Sequence, residues 1–215
     1  MGEPAWDVKR VHRSLYAPPR DDFVLVDVQP VGVLAVDGRG DPNTSPAYAG
    51  AVEALYATAY GLRAATIRDG GRPFVVAPLE GLWRAGDREA FTRRDKDSWE
   101  WTMLITLPPW VPADDVERAR ATAARRGPHA PLDRLEHRTL DEGLSLQLLH
   151  VGSYDDEAPV LARLHGTVMP ARGLTFHGDP HEVYLGAPRR TRPERLRTIL
   201  RQPVRPVAGG PVPTS

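Results

Sequence analysis

Apolar residues recur along the chain with two periods, and the switches between them mark the elements. Residues 23–36 are β-branched and apolar, interrupted by Pro30 and Gly32, which predicts a bent strand or two strand pieces. Asp37 to Asn43 is turn chemistry throughout. Ser45-Pro46 then offers an N-cap and a proline for the first helical position. The segment that follows, to Arg63, sets Tyr48, Val52, Leu55, Tyr56, Ala59 and Leu62 on one stripe, as an amphipathic helix requires. Gly70-Gly71 turns the chain into a strand candidate at Phe74–Trp83, limited by Pro73 and Pro78, and Trp99–Leu107 is a second, ended by Pro108-Pro109.

The second half has a similar pattern. Ala113–Arg126 reads as a charged helix started by Pro112 and stopped at Gly127-Pro128. Leu135–Leu140 and Leu144–Val151 flank Asp141-Glu142-Gly143, which predicts a hairpin. Tyr154 to Glu157 leads into a helix reaching about His165, its acidic first turn favouring the dipole. Phe176–Leu185 contains a further strand, and Pro193 opens a last element running to Val204. The expected architecture is α+β: two strand–helix–strand–strand modules, at about 20–110 and 111–205, in one domain spanning 1–207. The Gly/Pro-rich residues 208–215 read as a frayed tail.

Lys plus Arg and Asp plus Glu number 28 each, so net charge gives no reason to expect nucleic acid or an anionic membrane. The Arg-rich stretch from Arg189 to Arg205 lacks interleaved aromatics and reads as a solvated basic edge. The residues before the first strand leave no room for a helix-turn-helix, which demotes a transcription regulator. No apolar run approaches the roughly 20 residues of a membrane span, and no signal-peptide pattern is visible. The absence of cysteine excludes disulfides, thiolate nucleophiles and Cys-ligated zinc. The expectation is a cytoplasmic protein, monomer or homodimer, without cofactor or metal.

Walker-type loops, dinucleotide fingerprints, His-Glu-x-x-His pairs and Gly-x-Ser-x-Gly elbows are all missing. His177 and His181 have no third metal ligand at fixed spacing. The aromatic residues are more informative. Strand alternation sets Trp99, Trp101, Met103 and Ile105 on one face, and Tyr56 and Tyr60 are neighbours on a helix face. With Trp83, Phe176 and Tyr184 they suggest an aromatic-lined cavity, although any one ring taken alone could simply fill a core. In His181-Glu182-Val183-Tyr184-Leu185, Glu182 and Tyr184 share a face. If Val183 and Leu185 pack beneath the helices, Glu182 points to the aromatic side. A carboxylate among rings is partly desolvated, and so suits a lipophilic counter-cation or general acid–base work.

Six segments together resemble the GyrI-like small-molecule-binding proteins. They are Val52 to Tyr60, Pro78-Leu79-Glu80-Gly81-Leu82-Trp83, Trp99-Glu100-Trp101-Thr102-Met103, Leu149 to Asp155, His181 to Leu185 and Thr198 to Val204. The resemblance implies two modules related by pseudo-twofold symmetry, as in multidrug-regulator effector domains, with a ligand cleft between them and Glu182 as the buried glutamate. The Trp-x-Trp-Thr-Met and Leu-Glu-Gly-Leu-Trp motifs look like the cyclopropanoid cyclopropyl hydrolase branch, which opens the cyclopropane of duocarmycin- and yatakemycin-type DNA alkylators. It implies Tyr56, Trp83 and Trp101 as cage walls, with Tyr60, Met103, Phe176 and Tyr184 as further ligand-binding residues; the mechanism expected on that basis makes Glu182 and Tyr56 the catalytic residues. The chain departs from that pattern at Trp83-Arg84, where the family often has a second Trp, and at Gly152-Ser153-Tyr154, where it often has Gly-Pro-Tyr. The first departure predicts the loss of one cage wall. The implied partner is an aromatic small molecule, hydrolysed as part of xenobiotic or self-resistance, or else only sequestered or sensed.

Overall fold

The first apolar run divides at Pro30, which has no amide hydrogen to donate to a ladder. Two strands result, β1 (Val24–Val28) and β2 (Val31–Arg39). The computed structural model describes residues 4–85, 96–125, 131–186 and 190–208, so the predicted helix stop at Gly127-Pro128 and most of the predicted tail lie outside the described residues. The chain divides into two units: unit 1 comprises Met1–Arg13 and Val31–Leu140, and unit 2 comprises Ser14–Pro30 and Asp141–Ser215.

Unit 1 contains β2, helix α1 (Pro46–Arg68), β3 (Leu79–Ala85), β4 (Trp99–Thr106), helix α2 (Ala113–Arg125) and β5 (Glu136–Leu140). Its strands pair antiparallel in the order β3-β4-β2-β5. Helix α1 starts where the sequence predicts, with the Ser45 side chain accepting from the Tyr48 amide and Pro46 in the first turn. It runs past Arg63 to Arg68, stopping ahead of Gly70, whose φ of 71° suits glycine. The strand expected at Phe74–Trp83 begins only at Leu79, because Pro78 cannot join a ladder; Phe74 instead makes a lone parallel bridge with Trp6.

Unit 2 contains β1, β6 (Gly143–Val151), helix α3 (Glu157–Arg163), β7 (Leu174–Phe176), β8 (His181–Tyr184) and β9 (Arg197–Pro206). The order is β1-β6-β9-β8, and β7 pairs with β9 further along. Helix α3 continues as a π turn, Leu164–Val168, so the helical path extends beyond the expected end at His165.

The predicted hairpin at Asp141-Glu142-Gly143 does not form. Strand β5 pairs with β2 of unit 1, while β6 pairs with β1 and β9 of unit 2. A turn signal records where the chain reverses, and partner choice is settled by long-range apolar register. Each unit thus receives its β5 or β1 strand from the sequence of the other half, and the strand orders β5-β2-β4-β3 and β1-β6-β9-β8 correspond position by position. The expected strand–helix–strand–strand modules are present as β2-α1-β3-β4 and β6-α3-β8-β9, and the fold is α+β.

The two faces of the unit 2 sheet have different chemistry. Leu146 and Leu148 project into an apolar cluster with Leu164, Met169, Leu174 and Val204, which is the face covered by the helical segment. On the other face His181 and Arg201, partners in register, bracket the carboxylate of Glu142 at 2.9 Å and 2.8 Å. Arg201 also donates to Gln147 at 3.0 Å, and Gln147 donates to the Ser14 carbonyl at 2.8 Å, tying down the segment ahead of β1. Burial alone would raise the Glu142 carboxyl. The His181 charge and hydrogen bond, then Arg201, outweigh it and hold the group down at about 2. A depressed carboxyl stabilises the fold above its ordinary value, and that stability is lost as pH falls from about 4.5 toward 2. Denaturant melts of Glu142→Gln should show a flatter dependence across this acid window than the parent. Arg201→Leu, which strands a buried carboxylate, should cost about 3–5 kcal/mol at neutral pH. Equal acid sensitivity in the parent and the Gln variant would contradict the account.

Candidate functional site

In unit 1 the strand register settles which aromatics share a face. Trp83 pairs Trp101, Gly81 pairs Met103, and Gly38 lies across from Trp101 on the other side. A Cβ at Gly38 would overlap the Trp101 ring, so glycine there makes room for the indole. Tyr48 from the start of α1 stacks on Trp83 at 6.4 Å and meets Trp101 edge-on at 5.3 Å, and Trp99 meets Trp83 edge-on at 5.6 Å. The Trp101 indole donates to the Gly40 carbonyl at 3.2 Å. Trp83, Trp101 and Met103 are buried at 6%, 1% and 0% exposure, so they form the packed floor of this aromatic group.

Tyr56 and Tyr60 stack on each other along α1 at 6.0 Å, with Tyr60 exposed. Burial, then the neighbouring Tyr60, raises the Tyr56 phenol, opposed by its hydrogen bond with the Leu79 backbone. Arg84, at the departure noted above, lies on the opposite face from Trp83. There it donates to Thr102 at 2.9 Å and stands 3.8 Å from Asp37. Residue 84 therefore does not face the Trp83–Trp101 group.

Unit 2 carries Glu182, Tyr184 and Phe176. The condition placed on Glu182 from the sequence is reversed. Leu148 pairs Leu200 and Leu200 pairs Glu182, so Glu182 and Tyr184 share the helix-covered face, while Val183 sits on the other face with His181. Glu182 is nevertheless beside rings. The Tyr184 hydroxyl donates to its carboxylate at 2.9 Å, and Tyr154, from the turn before α3, meets Tyr184 edge-on at 5.9 Å. Phe176 lies further along β9, where it packs on His165 at 4.9 Å and on the apolar cluster.

Sequence reasoning missed Glu157, read there only as a first-turn charge. It is 4% exposed. A signal was present, since Glu157, Val160, Leu164 and Val168 fall on one helical stripe whose other members are in the apolar cluster. Asp156 makes the capping box with Ser153, which leaves Glu157 to turn inward. Burial first, then the charge of Glu182, raises the Glu157 carboxyl well above the usual carboxylate range, with the nearby Thr198 hydroxyl opposing and Asp155 adding. Burial, with the charges of Glu182 and Glu157, also pushes the Tyr154 phenol up to about 12. The result is a half-buried carboxylate held by a phenol, near a buried second carboxyl whose surroundings disfavour its charge. Among the described residues no group of three His, Cys, Asp or Glu is placed to hold a metal ion, and no helix is long and apolar enough to cross a membrane.

The family model for the GyrI-like small molecule binding domain matches residues 21–205. The chain belongs to this family. Among solved structures, a conserved protein from Listeria innocua is 35% identical to this GyrI-like chain, covering 93% of it and 100% of the neighbour at a TM-score of 0.85. A hydrolase from the same organism is 33% identical, covering 94% and 100% at a TM-score of 0.84. The C-terminal domain of EcmrR, at 9% identity, covering 86% and 98% with a TM-score of 0.56, shares the fold alone. No curated protein is similar to this GyrI-like chain.

The interaction between Tyr154 and Glu182 is open to direct titration. Ultraviolet difference titration of tyrosinate should find one phenol ionising near 12 in the parent, and Glu182→Gln should bring that phenol closer to the ordinary value of 10. An unmoved titration would place Glu182 out of reach of Tyr154.

Proposed function

We propose that this GyrI-like domain binds planar aromatic small molecules and hydrolyses the strained cyclopropane of duocarmycin- and yatakemycin-type alkylators. One observation carries the reading: the Glu182 carboxylate sits on the covered face of the unit 2 sheet, fixed by the Tyr184 hydroxyl and flanked by Tyr154. The 33% identity to a hydrolase over nearly the whole chain is consistent with it. A carboxylate held this way is partly desolvated and pre-oriented, which suits a general base.

In the proposed reaction Glu182 takes a proton from water as the water oxygen attacks the unsubstituted cyclopropane carbon. The carbon–carbon bond breaks and its electron pair passes into the conjugated dienone, which becomes a phenolate. A hydrogen-bond donor at the carbonyl oxygen stabilises the charge it gains, and return of the proton from Glu182 to the phenolate completes the net addition of one water. Phe176 and Tyr184 are assigned to ligand contacts beside Glu182 in unit 2, and Tyr56, Tyr60, Trp83, Trp101 and Met103 to aromatic contacts within unit 1. Strain release and aromatisation supply most of the driving force, so base catalysis of about 10²–10⁴-fold is sufficient. The role in cells would be protection against such alkylators. The competing reading, stoichiometric capture, predicts ligand released intact.

Incubation with a cyclopropane-bearing alkylator, followed by mass analysis, should show a time-dependent gain of one water. Glu182→Gln should lower turnover by about 10²-fold or more while retaining ligand-induced quenching of tryptophan fluorescence. Full turnover in Glu182→Gln would remove Glu182 as base, and unchanged ligand with the parent protein would leave capture alone.

A further inference from the structure

Strands β6, β9 and β8 set His150, Thr198 and Tyr184 in one cross-strand row, and Leu148, Leu200 and Glu182 in the next. Glu157 lies at the start of the helical segment that covers this face, and it is almost wholly buried. The Thr198 hydroxyl of β9 is a hydrogen-bonding neighbour of the Glu157 carboxyl on this face, and the charge of Glu182 reaches the same group.

We infer that Glu157 is a positioning residue for Glu182, the proton-holding member of a carboxyl pair in which Glu182 is the base. This rests on the reading of Glu182 proposed above and adds a residue that the family motifs quoted earlier do not include. The physical reason is the asymmetry of the two environments. Two carboxylates in one poorly solvated region cannot both ionise cheaply, so the more buried member keeps its proton. Glu157 is the more buried, while Glu182 is half-exposed and has the Tyr184 hydroxyl donating to it, a bond that favours its charged form. Ionisable groups in this region include Asp155 and Tyr154 from the turn of Glu157, His150 from β6, Tyr184 from β8, and Arg20, Asp21 and Arg163, which line a hollow with His150 and Val160. Asp155 carries like charge and reinforces the retention of the proton. His150 is engaged with the Ser153 carbonyl at 3.1 Å. A neutral Glu157 can donate one hydrogen bond to a neighbouring acceptor without adding a second negative charge, and this leaves Glu182 as the basic carboxyl of the pair.

A raised carboxyl has a definite linkage sign. The unfolded chain releases the proton in the ordinary carboxylate range while the folded chain keeps it, so stability declines as pH rises from about 5 to about 9. Thermal melts of the parent, Glu157→Gln and Glu182→Gln across that range test the protonation state without any ligand. The Gln side chain imitates the neutral acid, so Glu157→Gln should melt about 4–8 °C above the parent near pH 9 and approach it near pH 5. Glu182→Gln should also flatten the decline, by removing the repelling charge. Parallel curves for the parent and Glu157→Gln would overturn the assignment.

A second arm uses turnover of a cyclopropane alkylator. Glu157→Gln should keep kcat at pH 7 within about threefold while losing the alkaline limb of the pH–rate profile, and Glu157→Leu should lose about tenfold or more in kcat. An unaltered alkaline limb in Glu157→Gln would contradict the positioning role. If the parent shows no turnover, the hydrolase reading falls, and the melts still decide whether Glu157 holds the proton.

Discussion

Charge cannot be duplicated cheaply inside a folded protein, and unit 2 is organised around that constraint. Its sheet has a glutamate handled on each side. On one face Glu142 is buried and stays ionised, because His181 and Arg201 surround it and Gln147 and the Leu15 carbonyl satisfy what remains of the Arg201 guanidinium. On the other face Glu157 is equally buried but has a second carboxylate as its neighbour, so it keeps its proton. The same side chain is a structural anion in one place and a neutral acid in the other. Which elements reach it decides the difference.

Unit 1 handles its aromatic residues by close packing. Trp83, Trp99 and Trp101 come together because β3 and β4 pair in register, and Tyr48 covers them because Ser45 and Pro46 start α1 at that point. Gly38 is the complementary requirement on β2, since a side chain there would displace the Trp101 indole. Tyr56 and Tyr60 stand about two and three turns beyond Tyr48 along α1 and remain partly open to solvent.

Much of this arrangement was legible in the sequence. The break at Pro30, the cap at Ser45, the aromatic face of β4 and the pairing of Glu182 with Tyr184 on one face all follow from local rules of dihedral preference and alternation. Partner choice was not legible. Asp141-Glu142-Gly143 looks like a hairpin turn, yet its flanking strands pair with strands of different units, because pairing is decided by the apolar residues of β1, β2 and β9 far away in sequence. The side of the sheet on which Glu182 lies was misjudged for the same reason: alternation shows which residues share a face but not what covers it. Glu157 went unnoticed because a glutamate in a first helical turn usually favours the dipole from the surface, and only its place on the apolar stripe of α3 marks it as buried.

The central claim is that a small aromatic molecule meets this protein at the Glu182 carboxylate. Carbon-13 NMR of protein labelled at the glutamate side-chain carboxyl carbons, with Glu182 assigned by its loss in Glu182→Gln, reads that carboxylate directly. On adding a planar aromatic ligand the Glu182 resonance should shift in proportion to occupancy, while that of Glu142, on the opposite face of the sheet, should stay fixed. Saturable ligand binding that leaves the Glu182 resonance unmoved would contradict the account.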